Sequence, residues 1–309
     1  MSSFWDIFKD RLDDKAILYG ISTNPNITWK IVQENPDVNW DWEGLSRNPN
    51  ITFEIVQANP DKPWDWYWFS GNPNITWEIV QANPDKRWSW SGLSWNSNII
   101  WKIVQENLNK QWTFGALSIK QDITWKIVQE YSDKSWCWNL LSENPNITWE
   151  IIQANPGVNW NWSGLSCNPN ITWEIIENNP DKPWDWYALS RNPNITWKIV
   201  QENPDIPWDW DQVSRNPNIT WEIVQENPNK PWDWEGLSGN PNITLEILQE
   251  NLDKPWDWHA LSFNSFGVCY KQRQRIIERT QRFKEELMRV TWNPETAVGK
   301  ANIMTELAE

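Results

Sequence analysis

A single histidine in 309 residues, His259, leaves no second imidazole with which to build a catalytic dyad, a triad or a His-rich metal site. It occupies a variable position and reads as a surface residue. The three cysteines, Cys137, Cys167 and Cys269, are too few and too scattered for a disulfide framework, and their spacing is not that of metal ligands. A reducing compartment is the simple expectation. Glycine is scarce, at 11, and neither a G-x-G-x-x-G nor a Walker A pattern occurs, so no phosphate cradle is expected. No stretch approaches about 18 consecutive apolar residues, which argues against a membrane span. The opening MSSFWDIFKDRLDDK carries acids and no apolar run, so it does not read as a signal peptide. Bases are outnumbered by acids, 27 to 41, for a net charge of −14. Such a chain repels phosphate backbones and anionic membranes and is better matched to basic protein surfaces. The sequence therefore points to an intracellular, non-catalytic chain with no cofactor and no metal.

Tryptophan and proline are what the chain has instead, 31 and 21 of them. They fall into an internal repeat. N-P-N-I-T begins at Asn24 and recurs, intact or as a trace, every 24 residues through 240, ten copies in all without insertion or deletion. With the repeat numbered 1–24 from Asn24, position 4 is Ile, position 8 Ile, position 17 Trp and position 23 Ser in all ten copies. Trp also holds position 6 in eight copies and position 19 in nine, so three columns contain 27 of the 31 Trp. A constant period of this kind marks stacked structural units.

Each unit reads as two short helices. Thr28 and its equivalents are suited to cap the helix W-E-I-V-Q-E-N, since a threonine hydroxyl accepts an otherwise unpaired backbone N–H. Ile at positions 4 and 8 and Val at 9 supply its buried stripe. Pro at position 13 should end it by forcing the preceding Asn out of the right-handed helical region. A second segment, from about position 16 through W-D-W-x-x-L-S, is short enough to be α or 3₁₀. The fold class expected is all-α, an α-solenoid spanning 24–263. Residues 1–23 form a capping half-repeat with Phe4, Trp5, Ile7, Phe8 and Leu12 on one helix face, and 264–309 form a basic capping helix and tail. Stacking at about 8–10 Å per unit makes a rod or superhelix roughly 80–100 Å long. The Trp columns, represented by Trp29, Trp40, Trp42, Trp77, Trp149, Trp160, Trp197, Trp208 and Trp232, are expected to be its packed spine. Position 17 is the column most open to a stacking role toward bases or sugars.

The period and the phrase LSRNPNITFEIVQANP resemble the leucine-rich variant repeat. That likeness implies alternating α and 3₁₀ helices in a right-handed superhelix. The family's iron–sulfur module has no counterpart here. The W-D-W…L-S-x-N-P-N-I-T-W-E-I-V phrase is more closely similar to Trp-rich repeat proteins of giant DNA viruses of the mimivirus group. This implies a viral origin, with the protein in the cytoplasm of an infected cell or in the virion.

Variation concentrates at positions 20, 21 and 24. In a solenoid, fixed columns pack and variable ones meet partners. Tyr67, Trp68, Trp95 and Ile119 are accordingly the candidate partner surface, for a protein or a second copy of the chain. The segment carrying Lys271, Arg273, Arg275, Arg279, Arg282 and Lys284 is a candidate basic docking helix. Its plain reading is a cap with a solvated face, and its sharper one a nucleic-acid contact. A self-associating structural component of a virion or viral factory is a further alternative, and a small-molecule partner is not expected. The Asp column at position 18 reads as a solvated face open to a basic partner, and the eight N-I-T sequons read as turn-plus-cap chemistry. Repeats 4 and 5 lose prolines and asparagines, with Lys120 and Asp122 in their place, through drift or because of a bend or interface there.

Overall fold

The computed structural model describes residues 3–266, and over them the chain is helical, with no strand among the described residues. Each repeat contributes two helices. The first is Trp29–Glu34 in repeat 1, capped by the Thr28 side chain. It stops at Asn35, whose φ of −126° and ψ of 63° place it outside the helical region, a backbone compatible with the following proline. The first helices of repeats 4, 5 and 10 stop at the same position without one, so the proline is not the sole cause. The second is Trp42–Arg47, and it is α-helical. It starts later than position 16, because the residue at position 18 is its cap. Asp41 Oδ1 accepts from Gly44 N at 2.7 Å, and Asp65, Asp185, Asp209, Asp233 and Asp257 do the same in their repeats. The acidic column is thus a column of helix caps, which corrects its reading as a solvated face. Pro at position 16 lies before the helix and not in its first turn.

Helices of six residues are unstable alone, and the units hold one another through a hydrogen-bond ladder. The Asn at position 1 is fully buried in almost every repeat. Asn48 Nδ2 donates to Asn24 O at 2.9 Å and Ile27 O at 3.1 Å in the preceding unit, and to Ser22 O at 2.9 Å at the end of the unit before that. Its Oδ1 accepts the N–H of Asn50, so one side chain also folds the N-P-N turn. The Asn at position 3 adds a parallel link, with Asn50 Nδ2 donating to Pro25 O at 2.7 Å. The Asn of every described N-I-T sequon is occupied in this way. Ile at position 4 and the residues at positions 9 and 22 fill one contiguous core between the first and second helices.

The two ends of this stack meet, and this overturns the linear rod. Asn24 Nδ2 donates to Ser262 O at 2.8 Å and Asn264 O at 2.9 Å, repeating the bonds that Asn48 makes to Ser22 and Asn24. Asn264 in turn donates to Ser238 O and Asn240 O. The ladder is therefore circular. Residues 264–266 supply positions 1–3 of an eleventh unit, and residues 4–23 supply its positions 5–24. Trp5 then stands at position 6 and packs on Trp40 at 5.3 Å between centroids, as Trp29 packs on Trp64 at 5.8 Å. Helix Lys15–Thr23 packs both on Trp42–Arg47 and on Trp258–Phe263. A Cβ at Gly20 would collide with Ser262, as one at Gly44 would approach Ser22.

The reason for closure is the wedge shape of the unit. Second helices pack directly on one another around the unit, at small residues such as Gly44, Gly92, Gly164 and Gly236. First helices reach the next unit mainly through large indoles. Outside the junction of repeats 4 and 5, where the second helix of repeat 4 is shortened, the junctions are narrower on the side of the second helices and turn the same way. The second helices lie at the smaller radius.

Repeat 5 breaks the ladder chemistry without opening it. Lys120 replaces the Asn and donates Nζ to Asn96 O, while Asp122 accepts from Trp101 N. Burial lowers the Lys120 ammonium from 10.5 to about 8, against the opposing pull of Asp122. The neighbouring second helix shortens to Phe114–Leu117 and has no side-chain cap.

Two predictions follow from the ladder. Asn24→Ala strands two buried carbonyls at the seam and should cost about 2–3 kcal/mol, as Asn216→Ala should within the ring. In chemical denaturation, a negligible cost at Asn24 would mean that the ends are not joined. For Lys120, the unfolded chain still binds a proton at pH 8–10.5 where the folded protein does not. Stability should therefore rise with pH across that window. Lys120→Asn with Asp122→Asn restores the repeat consensus and should remove the rise, as pH-dependent denaturation curves would show.

Candidate functional site

On the second helix, position 22 points into the core, and positions 20 and 24 lie one turn apart on the opposite side. Leu45 is fully buried, whereas Tyr67, Tyr187, Trp95, Ile119 and Phe263 are exposed. Since the second helices take the smaller radius, these two columns look to the inside of the ring. Position 21 behaves otherwise. It sits in the junction, where Gly92 lies against Tyr67 O and the Ser70 side chain. Its variation mostly reflects packing, and Trp68 is the exception because it is too large for the junction and emerges half-buried.

The Trp columns rank differently from the sequence expectation. Position 17 is the deepest, with Trp40, Trp160 and Trp208 between 5% and 8% exposed. In all ten repeats its indole N–H donates to the backbone carbonyl at position 12, as Trp40 Nε1 does to Asn35 O at 3.1 Å. That bond gives the polar end of a buried indole its partner, and it removes position 17 from the candidate stacking surfaces. Trp88 and Trp232 in the same column are somewhat less covered. At positions 6 and 19, Trp29, Trp42, Trp149 and Trp197 are half-buried and lean on the position-17 ring of the next unit, Trp77 is half-buried against Trp90 of its own unit, Trp101 and Trp221 are buried, and Trp138 is exposed.

Three of the four candidate surface residues come together. Tyr67, Trp68 and Trp95, with Arg47, Gly71 and Asn72, line a hollow of about 390 Å³. Gly71 makes the room, because it stands in column 24 between Arg47 and Trp95, where a side chain would fill the space. The Arg47 guanidinium lies over the Trp68 ring at 3.9 Å, and Tyr67 meets that ring edge-on at 4.7 Å. Trp95 is 48% exposed. Ile119 is exposed one unit further on and does not line the hollow.

Closure extends this patch across the seam. Arg47 Nη1 donates to Tyr19 Oη at 2.6 Å, Tyr19 packs on Phe263 at 5.8 Å, and Phe263 packs on His259 at 5.2 Å. Arg47, Tyr19, Phe263 and His259 thus join an aromatic arc that sequence reasoning divided between the two ends of a rod. The signal was present in the register, which puts Tyr19 at position 20, but adjacency to Phe263 needs the ring. The remaining part of the same face is more polar, although Tyr187 and Ile119 are exposed there too. Arg215 bonds Asp211 and Glu235, both at 2.9 Å, and Arg191 faces Cys167. Burial raises the Cys167 thiol, so it stays protonated at neutral pH and is a poor nucleophile.

Among the described residues no group of three or more His, Cys, Asp or Glu could hold a metal ion, and no helix is long and apolar enough to cross a membrane. The basic segment with Lys271, Arg273, Arg275, Arg279, Arg282 and Lys284 lies outside the described residues.

The two kinds of Trp should separate in mutagenesis. Trp95→Ala should shift stability by no more than about 0.5 kcal/mol, whereas Trp64→Ala should cost about 3–5 kcal/mol. Equal losses in thermal or chemical denaturation would place Trp95 in the core. Compared with known proteins, the chain matches no family model, no curated protein and no solved structure.

Proposed function

We propose that the ring is a non-catalytic scaffold that binds a protein partner on its inner face, through the arc formed by Phe263, Tyr19, Arg47, Trp68, Tyr67 and Trp95. The observation that carries this reading is the contrast within one face. Elsewhere on the face Arg215 is paired with Asp211 and Glu235 and the exposed Tyr187 stands apart from other aromatics, whereas the aromatic arc groups its rings, leaving Trp95 48% exposed beside an open hollow and Phe263 44% exposed across the seam. Exposed apolar patches of this kind mark interaction sites, and Trp, Tyr and Arg are the residues that dominate binding energy in them. Gly71 supports the same reading, since it keeps the hollow open. The ring's acidity favours a partner with a basic rim around an apolar anchor. Nucleic acid is disfavoured by the same charge. The viral origin implied by sequence resemblance fits a scaffold of this type and adds nothing about the partner.

The test is affinity capture from the cells in which the protein is made, with and without nuclease. The intact protein is compared with Trp68→Ala/Trp95→Ala. A discrete protein should be retained by the intact ring after nuclease treatment and lost by the double variant, whose melting profile should stay close to the parent. Capture that disappears with nuclease and ignores the double variant would overturn the reading in favour of the basic C-terminal segment.

A further inference from the structure

A second hollow, of about 270 Å³, lies where repeats 7 and 8 meet, with Trp173, Trp184, Trp186, Glu177, Lys182 and Ile206 among its lining. It is separate from the arc described above and does not depend on it. Its meaning comes from comparison with the other junctions of the same ring, which act as internal controls.

At several junctions an aromatic ring of one repeat is met by an ammonium of the next. Lys62 Nζ lies over Trp42 at 5.5 Å, Lys110 over Trp90 at 5.1 Å and Lys134 over Phe114 at 5.8 Å. In each case the lysine is at position 15 and the ring at position 19 of the repeat before. At the junction of repeats 7 and 8, position 15 is Ile206, so Trp186 receives no such cation. Position 10 changes at the same place. It is Gln in the nine other repeats and Glu177 here. Val38 and Val158 also lack the lysine, but their junctions carry Lys9 and Gln129 at position 10. One junction alone combines a missing ammonium with an added carboxylate. Lys182 also lines the hollow and pairs with Asp181 at 3.0 Å.

We infer that this hollow is a binding site for a quaternary alkylammonium group. Indole faces attract a cation through the ring quadrupole, and the attraction is largest when the cation sheds its water cheaply. A quaternary ammonium has no N–H to leave unsatisfied, and its methyl groups suit a wall of Trp and Ile. Glu177 supplies the opposite charge. The group has two natural sources, a free choline-like ion and a trimethylated lysine side chain on a protein, and both present the same headgroup.

The full chain is titrated with choline, with a trimethyllysine peptide and with 3,3-dimethyl-1-butanol, the neutral isostere of choline. Binding is followed by calorimetry and by indole N–H resonances. At least one quaternary probe should bind saturably, and the isostere about tenfold more weakly than choline if choline is the ligand. Glu177→Gln should weaken binding about tenfold, and Ile206→Lys should abolish it by placing an intramolecular ammonium in the site. Both variants insert residues that other repeats already carry at those positions, so the fold is preserved. Much tighter binding of the peptide than of choline assigns the site to a modified protein side chain. Comparable binding of the two assigns it to the free ion. Absence of saturable binding by either quaternary probe would overturn the proposal. So would isostere binding equal to that of choline, or binding unchanged in both variants.

Discussion

The side-chain amide of one asparagine per repeat is the interaction on which the rest of this structure depends. Its nitrogen offers two protons and its oxygen two lone pairs on a stem of fixed, short length. The nitrogen reaches buried carbonyls of the unit before, and the oxygen holds the turn that starts its own unit. Neither helix of a repeat can stand alone, so the ladder and the core are conditions of the helices as much as products of them. Repeat 5 shows what the residue is for. Lys120 keeps a donor and so keeps the rung, but it has no acceptor with which to fold the turn, and its charge is held under burial.

The indoles do a second job, which is to set the curvature. Most position-17 rings are gripped by two rings of the preceding unit, as Trp64 is by Trp42 edge-on at 5.0 Å and by Trp29 at 5.8 Å. Large side chains on the side of the first helices and Gly or Ala on that of the second turn a stack into an arc. Closing the arc then needs only that the last unit present what every other unit presents. Gly20, Ser22 and Trp5 meet that requirement at positions 21, 23 and 6.

Much of this was legible in the residues. The period, the threonine caps and the two-helix unit follow from local chemistry, whereas the end of the first helix, expected from its proline, is kept in repeats 4, 5 and 10 without one. Closure was not legible, because curvature is a small difference between two distances at each junction and appears in no single residue. The ranking of the Trp columns was missed for a related reason. Fixity in a column says that a residue is needed, and the depth of Trp40 depends on Asn35 O, at the end of a helix, accepting its indole N–H. The Asp column was misread because its capping role depends on where the second helix begins. Of the candidate surface, Trp95 was identified by its departure from the repeat, whereas Tyr19 and Phe263 became neighbours only through the seam.

The eleventh unit, assembled from both ends of the chain, also governs how the molecule can associate. A linear stack of identical repeats exposes two complementary end faces, and any copy can add to either, which is the geometry of an open filament. Joining those faces within one chain consumes both. The local concentration of one end near the other is set by a single covalent chain, so closure outcompetes addition of a second molecule at ordinary concentrations. The few residues flanking the seam, Asn264–Phe266 and Phe4–Phe8, therefore decide between a discrete particle and a polymer built from the same contacts.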